Sequence, residues 1–200
     1  SNTNLPNNFY TIKKFNINGL NAIETKQIQN ELKIFKNINI FSLNKNSISK
    51  KIYSNKIVEN LRISKNYPST LNIEIKKTNF LAITKKNNSD FLVGTNGNLL
   101  KVNNNISNLP YIFGNLNVNN FLNFKKIIDN SNFKFNEIMD LYYFKSNRWD
   151  VMTKDGLTLK MPSKLTVEKL NLIFKVIQNN DFNDNKILDF RQTNMMFTNE

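Results

Sequence analysis

The segment RWDVMTKDGLTLKMP, residues 148–162, constrains the fold more than any other part of the chain. Apolar and polar residues alternate on both sides of Lys154-Asp155-Gly156, which is typical of two half-buried strands joined by a turn. Glycine at the third turn position suits a three-residue loop that closes with a left-handed residue. The pattern therefore predicts a β-hairpin over this segment.

The alternation also fixes which residues of the hairpin face each other. A three-residue loop places Trp149 opposite Met161 and Val151 opposite Leu159, so that apolar side chains share one face. A two-residue loop would place Asp150 opposite Met161 and mix the two faces. We therefore expect the longer loop, with one face of the hairpin buried and with Trp149 in the core.

The composition excludes most kinds of catalytic and metal site. The 200 residues include no cysteine and no histidine, which removes disulfides, thiolate nucleophiles, Ser-His-Asp triads and nearly every transition-metal site. Aspartate and glutamate are scattered singly, with no pair at a spacing typical of acid-base catalysis or of a metal cage. We therefore expect a protein that is not an enzyme and that has no catalytic residue, cofactor or metal.

The net charge of +13 has three possible explanations. Clustered lysines could bind the phosphates of a nucleic acid, and a basic surface could lie near anionic lipid heads. However, lysine is spread almost evenly and accompanies abundant asparagine and isoleucine, as the codons of an AT-rich genome would impose. Most lysine pairs are therefore expected to line solvated faces. These pairs are Lys13-Lys14, Lys50-Lys51, Lys76-Lys77 and Lys85-Lys86.

The start of the chain is expected to be a tether. Residues 1–10 are polar, rich in asparagine and contain Pro6. The chain has no run of eighteen apolar residues and no signal-peptide pattern. It begins with Ser1 and lacks an initiator methionine, so we expect a processed or trimmed chain whose beginning lies elsewhere.

The first folded unit is predicted over residues 11–78 with the order β-α-α-β-β. Apolar residues alternate in its strands and recur every three or four positions in its helices. Three strands and two helices then form one layered sandwich. The predicted elements are a strand over 11–17, a helix that Thr25 caps, a helix that buries Ile48 and Ile52, and strands over 56–65 and 71–76.

The second unit is predicted over residues 79–200 and is richer in strands. Asn96-Gly97 indicates a two-residue turn that places Val93 opposite Leu100 and Phe91 opposite Val102. Two helices are expected, one with an apolar stripe and one that begins near Ser163. The stripe residues are Phe121, Phe124, Ile127 and Ile128 in the first helix, and Val167, Leu170, Phe174 and Ile177 in the second. Residues 187–197 supply the final strand region.

Five segments, in order and spacing, carry a resemblance to a known family. They are FNING, IVENLRISKNYPSTLNIEI, LPYIFG, RWDVMTKDGLTLKMP and ILDFRQT. Together they resemble the extracytoplasmic part of FtsQ, called DivIB in Gram-positive bacteria, over residues 12–198. The resemblance implies an α+β fold with three parts. A tether over 1–10 precedes a POTRA domain over 11–78, and a β domain over 79–200 has a long, bent, mostly antiparallel sheet packed against helices.

The resemblance also implies a function. Members of this family are non-enzymatic scaffolds of the bacterial divisome, which bind FtsB and FtsL and help to regulate septal peptidoglycan synthesis by FtsW and FtsI. The POTRA half is implicated in recruitment and in contacts with other division proteins. A single transmembrane helix, absent from this chain, would anchor the protein in the inner membrane at the division septum, with this region in the periplasm.

The resemblance further implies where partners bind. The partner-binding strand of the family follows a D-L-R motif, which here is Asp189-Phe190-Arg191. The family also tends to place a basic residue before its tryptophan, here Arg148 before Trp149, and that position is implicated in binding an acidic partner residue. A strand with a free edge accepts a partner strand through backbone hydrogen bonds. The positions carried over as partner-binding are Arg148, Arg191, Gln192, Thr193, Asn194, Met195 and Met196.

Each of these positions also has a simpler interpretation. Arg191 could be a sheet-face cation that pairs with Asp189 or Glu200, and Arg148 could be a solvated arginine. Met195 and Met196 could end a core strand, but adjacent residues of a strand point to opposite faces, so one of the two should be exposed or covered by a partner. For the whole protein, the alternatives are a basic nucleic-acid-binding module and a POTRA protein of outer-membrane assembly or secretion.

Overall fold

The computed structural model describes residues 9–102, 108–179, 187–192 and 197–198. The chain divides into two compact units, Ser1–Asn79 and Phe80–Glu200. The strands of these units form two separate sheets, of three and nine strands. Each unit combines helices with a sheet, which confirms the predicted α+β fold class.

The first unit has the predicted order β-α-α-β-β. Its elements are β1 (Lys14–Asn18), α1 (Ala22–Leu32) with a 3-10 turn at Lys33–Phe35, α2 (Lys45–Tyr53), β2 (Val58–Asn66) and β3 (Thr70–Lys77). The sheet order is β1-β3-β2. The central strand β3 runs parallel to β1 and antiparallel to β2. Because β3 is central, its Leu71, Ile73 and Ile75 are buried, as their alternation predicts.

The first helix begins three residues before the predicted cap at Thr25. Asn21 is the N-cap, and its side-chain oxygen accepts a hydrogen bond of 2.9 Å from the backbone N–H of Glu24. The Glu24 carboxylate in turn accepts a hydrogen bond of 3.1 Å from the backbone N–H of Asn21. This reciprocal capping box satisfies two helix donors, which Thr25 alone could not do. The prediction of Thr25 was therefore wrong.

The described residues of the second unit form two α-helices and nine strands. Its elements are β4 (Phe80–Lys86), β5 (Ser89–Gly94), β6 (Leu99–Val102), β7 (Tyr111–Phe113), α3 (Val118–Asp129), a 3-10 turn at Phe135–Glu137, β8 (Ile138–Tyr143), β9 (Trp149–Thr153), β10 (Thr158–Lys160), α4 (Val167–Asn179), β11 (Ile187–Asp189) and β12 (Phe197–Thr198). The strand order is β12-β11-β10-β9-β8-β7-β4-β5-β6. Antiparallel pairs are in the majority, as predicted.

The hairpin of β9 and β10 has the predicted register. Val151 pairs with Leu159, and the N–H of Met161 donates to the carbonyl of Trp149 at 3.1 Å. Gly156 adopts a φ of +91°, which is the left-handed conformation that the three-residue loop requires. Trp149 is buried against aromatic rings of α3 and β8. The prediction that it is a core residue is confirmed.

The hairpin of β5 and β6 differs from the prediction by one residue. Val93 pairs with Leu99 rather than Leu100, and Phe91 pairs with Lys101 rather than Val102. The N–H of Gly94 donates to the carbonyl of Asn98, so the loop has three residues. The predicted two-residue turn was therefore wrong.

The second helix of this unit, α4, begins at Val167 and not near Ser163. The hydroxyl of Thr166 accepts a hydrogen bond from the N–H of Lys169, and its carbonyl accepts one from the N–H of Leu170. Thr166 therefore caps the helix. Both helices pack on one face of the sheet. On this face a row of buried residues crosses the strands, namely Ile112, Leu141, Val151, Leu159 and Leu188.

Candidate partner-binding edge

One edge of the nine-stranded sheet ends with the last described strands of the chain. Strand β11 runs parallel to β10, and β12 runs antiparallel to β11, with Phe197 paired to Asp189. The chain has therefore reversed direction by Phe197, whereas the sequence predicted one strand region over 187–197. The outermost described strand is β12. Its outer side lies at the end of the sheet, where backbone groups can accept a further strand.

A row of charged residues crosses the three strands next to this edge. Asp150 of β9 pairs with Lys160 of β10, and Lys160 pairs with Asp189 of β11. Their neighbours Val151, Leu159 and Leu188 belong to the core, and successive residues of a strand point to opposite faces. The charged row therefore lies on the face of the sheet that the helices do not cover.

Arg191 is held at the end of this row by Asp189. Its Nε lies 2.8 Å from each carboxylate oxygen of Asp189, and its Nη2 makes a further short contact with Oδ2. The backbone N–H of Arg191 also donates to Asp189 Oδ1 at 3.0 Å. These hydrogen bonds lower the pKa of Asp189, although its partial burial opposes them. The side chain of Arg191 remains 45% exposed, so its fixed guanidinium is accessible.

Arg148 is more deeply buried than Arg191. Its guanidinium carbon lies 4.2 Å from the centroid of the Phe144 ring, and its Nε lies 3.2 Å from Asp150 Oδ1. That ion pair is not aligned as a hydrogen bond, so the buried Arg148 Nε and Asp150 Oδ1 have no hydrogen-bond partner in the part of the chain that the structure describes. The other end of the pair, Nη2 to Oδ2, spans 3.5 Å. The pair therefore retains hydrogen-bonding capacity that the described residues do not use.

The environment of Asp150 opposes its ionisation. Burial raises the pKa of Asp150, and the positive charges of Arg148, Lys160 and Arg191 only partly offset this effect. Three cations therefore surround one carboxylate that is costly to ionise. The row carries a positive excess where it meets solvent.

The two arginines lie toward the same end of the charged row. Arg148 precedes Asp150 by two residues, and Arg191 follows Asp189 by two residues. Because β9 is antiparallel to β10 and β10 is parallel to β11, both steps lead in the same direction. The chain has 28 basic residues, of which only three are arginine, and two of these three lie toward this end of the row. A planar guanidinium fork binds a carboxylate in two places, which lysine cannot do.

The structure thus brings Arg148 and Arg191 to one surface and leaves Gln192 exposed beside them. Thr193, Asn194, Met195 and Met196 lie outside the described residues. Sequence reasoning missed Asp150 and Lys160. Both occupy outward positions of the hairpin, so its predicted register already placed them opposite each other.

Neither a metal cage nor a membrane span is present in the parts of the chain that the structure describes. No group of three or more Asp or Glu side chains there could hold a metal ion. Among the described helices, none has the length and apolar character needed to cross a membrane.

Two family models match the chain, one for each unit. The model described as "POTRA domain, FtsQ-type" matches residues 10–77. The model described as "Cell division protein FtsQ/DivIB, C-terminal" matches residues 82–191. The second match alone covers more than half of the chain and includes Arg148 and Arg191.

Similar proteins carry related names. The cell division protein FtsQ of Rickettsia bellii is 26% identical over 193 residues, which cover 90% of this chain and 69% of that protein. The cell division protein DivIB of Clostridium acetobutylicum is 29% identical over 104 residues, 52% of this chain and 42% of that protein. DivIB of Staphylococcus aureus is 27% identical over 95 residues, which are 48% of this chain and 22% of that protein.

One solved structure is also similar, though weakly. It is the major extracytoplasmic domain of the trans isomer of the bacterial cell division protein DivIB from Geobacillus stearothermophilus. The sequence identity is 15% and the TM-score is 0.37, with 53% of this chain and 98% of that chain covered. A TM-score this low does not identify a fold.

Proposed function

Because this chain belongs to the FtsQ/DivIB family of cell division proteins, we propose that it is a non-enzymatic scaffold of the bacterial divisome. It binds FtsB and FtsL through the second unit and thereby helps to regulate septal peptidoglycan synthesis by FtsW and FtsI. Its POTRA unit contacts other division proteins. The whole protein is anchored in the inner membrane by one transmembrane helix, and this region works in the periplasm at the septum.

The observation that carries this proposal is that two arginines lie toward the same end of a charged row that leads to a sheet edge. A partner strand that adds to β12 gains main-chain hydrogen bonds, and alternate side chains of that strand fix its register. Arg191 follows β11, the strand beside β12, and Arg148 precedes β9, two strands further in; both positions face away from the core. An acidic side chain of the partner can therefore bind both guanidinium groups once the strand is in place. Strand addition supplies the affinity, and the arginines supply the specificity.

Arg191 offers the first test, because its charge can be reversed at an accessible position. We expect Arg191→Glu to weaken binding of the periplasmic segment of the cognate FtsB by at least about tenfold, since a guanidinium beside a partner carboxylate becomes a repelling charge. The matched control is Arg62→Glu, which makes the same change at an exposed position of β2. Titration calorimetry measures both affinities. Equal affinity of the two variants would refute the assigned role of Arg191.

Arg148 needs a milder substitution because its carboxylate partner is buried. Arg148→Lys keeps the charge and removes the planar fork, so we expect weaker FtsB binding with little loss of stability. Arg62→Lys is the control. An unchanged affinity for Arg148→Lys, in a variant with a normal circular dichroism spectrum, would contradict a bidentate contact.

The docking mode is tested separately at Thr193. Thr193→Pro removes a backbone donor from the segment after Arg191, which the family resemblance assigns to partner binding, so we expect FtsB binding to be lost while the fold persists. Thr193→Ala keeps the donor and serves as the control. Tight, salt-sensitive binding of DNA without any affinity for FtsB would instead support a nucleic-acid-binding module.

A further inference from the structure

Four aromatic side chains form an exposed cluster on the first unit, which we call the aromatic patch. The patch consists of Phe9, Tyr10, Phe41 and Tyr67. The rings of Phe41 and Tyr67 are stacked with centroids 4.8 Å apart, and Tyr10 lies edge-on to Phe41 at 5.1 Å. Phe9 extends the row, with its ring 5.1 Å from that of Tyr10. Phe9, Phe41 and Tyr67 are nevertheless 38%, 57% and 53% exposed.

Hydrogen bonds join the three chain segments that carry this patch. The N–H of Ile40 donates to the carbonyl of Tyr10 at 2.8 Å, and the N–H of Lys13 donates to the carbonyl of Ser69 at 2.8 Å. The Nζ of Lys65 donates to the carbonyl of Phe41 at 3.1 Å. The patch is therefore part of the folded unit, and its rings are ordered against one another while they face solvent.

The charged residues in the three segments that carry the patch are all of one sign. The three segments, residues 9–14, 36–45 and 65–70, contain no aspartate or glutamate. They contain Lys13, Lys14, Lys36, Lys45 and Lys65. By contrast, Lys76 and Lys77 elsewhere in the same unit form ion pairs with Glu59 and Glu24. The segments that carry the patch therefore contribute positive charge and no negative charge to this part of the unit.

Exposed apolar rings on segments that contain lysines and no carboxylates suit the boundary between lipid heads and acyl chains. Aromatic residues are enriched at that boundary because their rings are amphipathic, and lysines beside them attract anionic heads. Lysine side chains can also lay their methylene stems along the rings while the ammonium groups stay among the heads. The patch thus complements an anionic bilayer in both polarity and charge.

The geometry of the rings argues against a nucleic acid as the ligand of the patch. Single-stranded nucleic acids bind where bases can stack on open ring faces. In the patch, Phe41 and Tyr67 already stack on each other at an interplanar angle of 20°, and the edge of one further ring meets Phe41. One face of Phe41 and one face of Tyr67 are thus already occupied within the patch, and the rings present an apolar projection. That shape suits shallow insertion into lipid better than intercalation between bases.

We propose that the aromatic patch is a docking surface for an anionic lipid bilayer. The rings of Phe41 and Tyr67 enter the region of the lipid heads, and Lys13 and Lys65 bind phosphate groups beside them. This surface lies on the first unit and involves none of the residues assigned to FtsB binding.

The test measures binding of the full 200-residue chain to vesicles. Vesicles of phosphatidylglycerol and cardiolipin should sediment the protein, whereas vesicles of phosphatidylcholine should bind it at least about tenfold more weakly. Binding should fall as salt rises, because salt screens the lysines. Phe41→Trp adds a reporter whose emission should shift to shorter wavelength on binding and be quenched by brominated lipid tails. The buried Trp149 supplies a constant background.

Two double variants separate the contributions of the rings and of the charges. Phe41→Ala with Tyr67→Ala should weaken binding to the anionic vesicles at least about tenfold, because the apolar area that enters the bilayer is removed. The control is Ile23→Ala with Tyr53→Ala, which removes exposed apolar side chains of the same unit outside the patch. This control should bind as the original chain does.

The charge variant is Lys13→Glu with Lys65→Glu, which should also weaken binding at least about tenfold. Lys85→Glu with Lys86→Glu lowers the net charge equally in the second unit and is its control. Absence of binding to anionic vesicles, or equal binding by patch variants and controls, overturns the proposal. So does a patch-dependent affinity for oligothymidine that exceeds the affinity for vesicles. The FtsB assays use a different surface, so either proposal can fail without the other.

Discussion

Asp150 and Asp189 flank Lys160 in one row of the sheet, but their surroundings move their pKa values in opposite directions. Hydrogen bonds from Arg191 lower the pKa of Asp189, whereas burial raises the pKa of Asp150. The two carboxylates therefore have opposite effects on stability as pH changes. Asp189 stabilises the fold above about pH 3.8, its ordinary pKa, and loses that contribution as pH falls through its lowered value. Asp150 destabilises the fold as pH rises from about 3.8 through its raised value.

This difference can be measured on single residues. We expect the carboxyl carbon resonance of Asp189 to titrate below pH 3.8 and that of Asp150 to titrate above it. Arg191→Gln should raise the pKa of Asp189 toward its ordinary value, because the carboxylate loses the hydrogen bonds that the Arg191 guanidinium donates. Titration of both aspartates at the same pH would contradict the different environments described for them.

Two glycines allow the cost of a positive φ to be compared with the cost of a steric clash. Gly19 and Gly156 both have positive φ, at +96° and +91°. A Cβ at Gly156 would meet no atom within 4 Å, whereas a Cβ at Gly19 would overlap the carbonyl group of Ile75 in β3. We expect Gly156→Ala to cost about 1 kcal/mol of backbone strain and Gly19→Ala to cost roughly 3 kcal/mol or more. Chemical denaturation measures both losses, and equal losses would refute the steric argument.

At the scale of elements, the hairpin of β9 and β10 depends on the length of its loop. Deletion of Lys154 leaves two loop residues, which should shift the register and turn Val151 or Leu159 away from the core. We expect a loss of at least about 3 kcal/mol, as for a large-to-small core substitution. Lys154→Ser preserves the length and should change stability by less than about 0.5 kcal/mol. Urea denaturation compares the two variants, and a mild effect of the deletion would contradict register control by the loop.

The two hairpins show when sequence predicts register and when it does not. In β9 and β10 strict alternation leaves one register that buries a single face, and that register is observed. In β5 and β6 the apolar runs Phe91-Leu92-Val93 and Leu99-Leu100 are continuous, so a shift of one residue costs little burial. Asn96-Gly97 then suggested a two-residue turn, but the side chain of Asn96 accepts a hydrogen bond from the N–H of Asn98 and supports a longer loop.

The sequence likewise predicted one part of the candidate site and missed another. Arg148 and Arg191 were predicted individually from the resemblance, and the structure places them at the same end of one row. The link between them is the parallel pairing of β10 with β11, which no local pattern specifies, because the α4 crossover separates the two strands. Sequence therefore suggested the two cations but not the row of Asp150, Lys160 and Asp189 that positions them.

At the scale of the whole molecule, the two units have separate sheets and should unfold as separate cooperative units. Trp149, the only tryptophan, lies in the second unit and reports on it alone. We expect Ile73→Ala to destabilise the first unit by about 2–5 kcal/mol without moving the transition that Trp149 fluorescence follows. Leu159→Ala should move that transition by a similar amount. A shift in both variants would show that the units unfold together.

The same topology determines when the arginine site can exist. Arg148 precedes the β9–β10 hairpin in the chain, and Arg191 follows α4 and β11. The two arginines therefore reach the same end of the row only after β11 has paired with β10. Long-range parallel pairing is slow to form, because the entropy of loop closure is lost before the contacts form. A chain with an unfinished second unit therefore offers an acidic partner at most one arginine. In the docking mode that we propose, partner recruitment therefore requires a completely folded second unit.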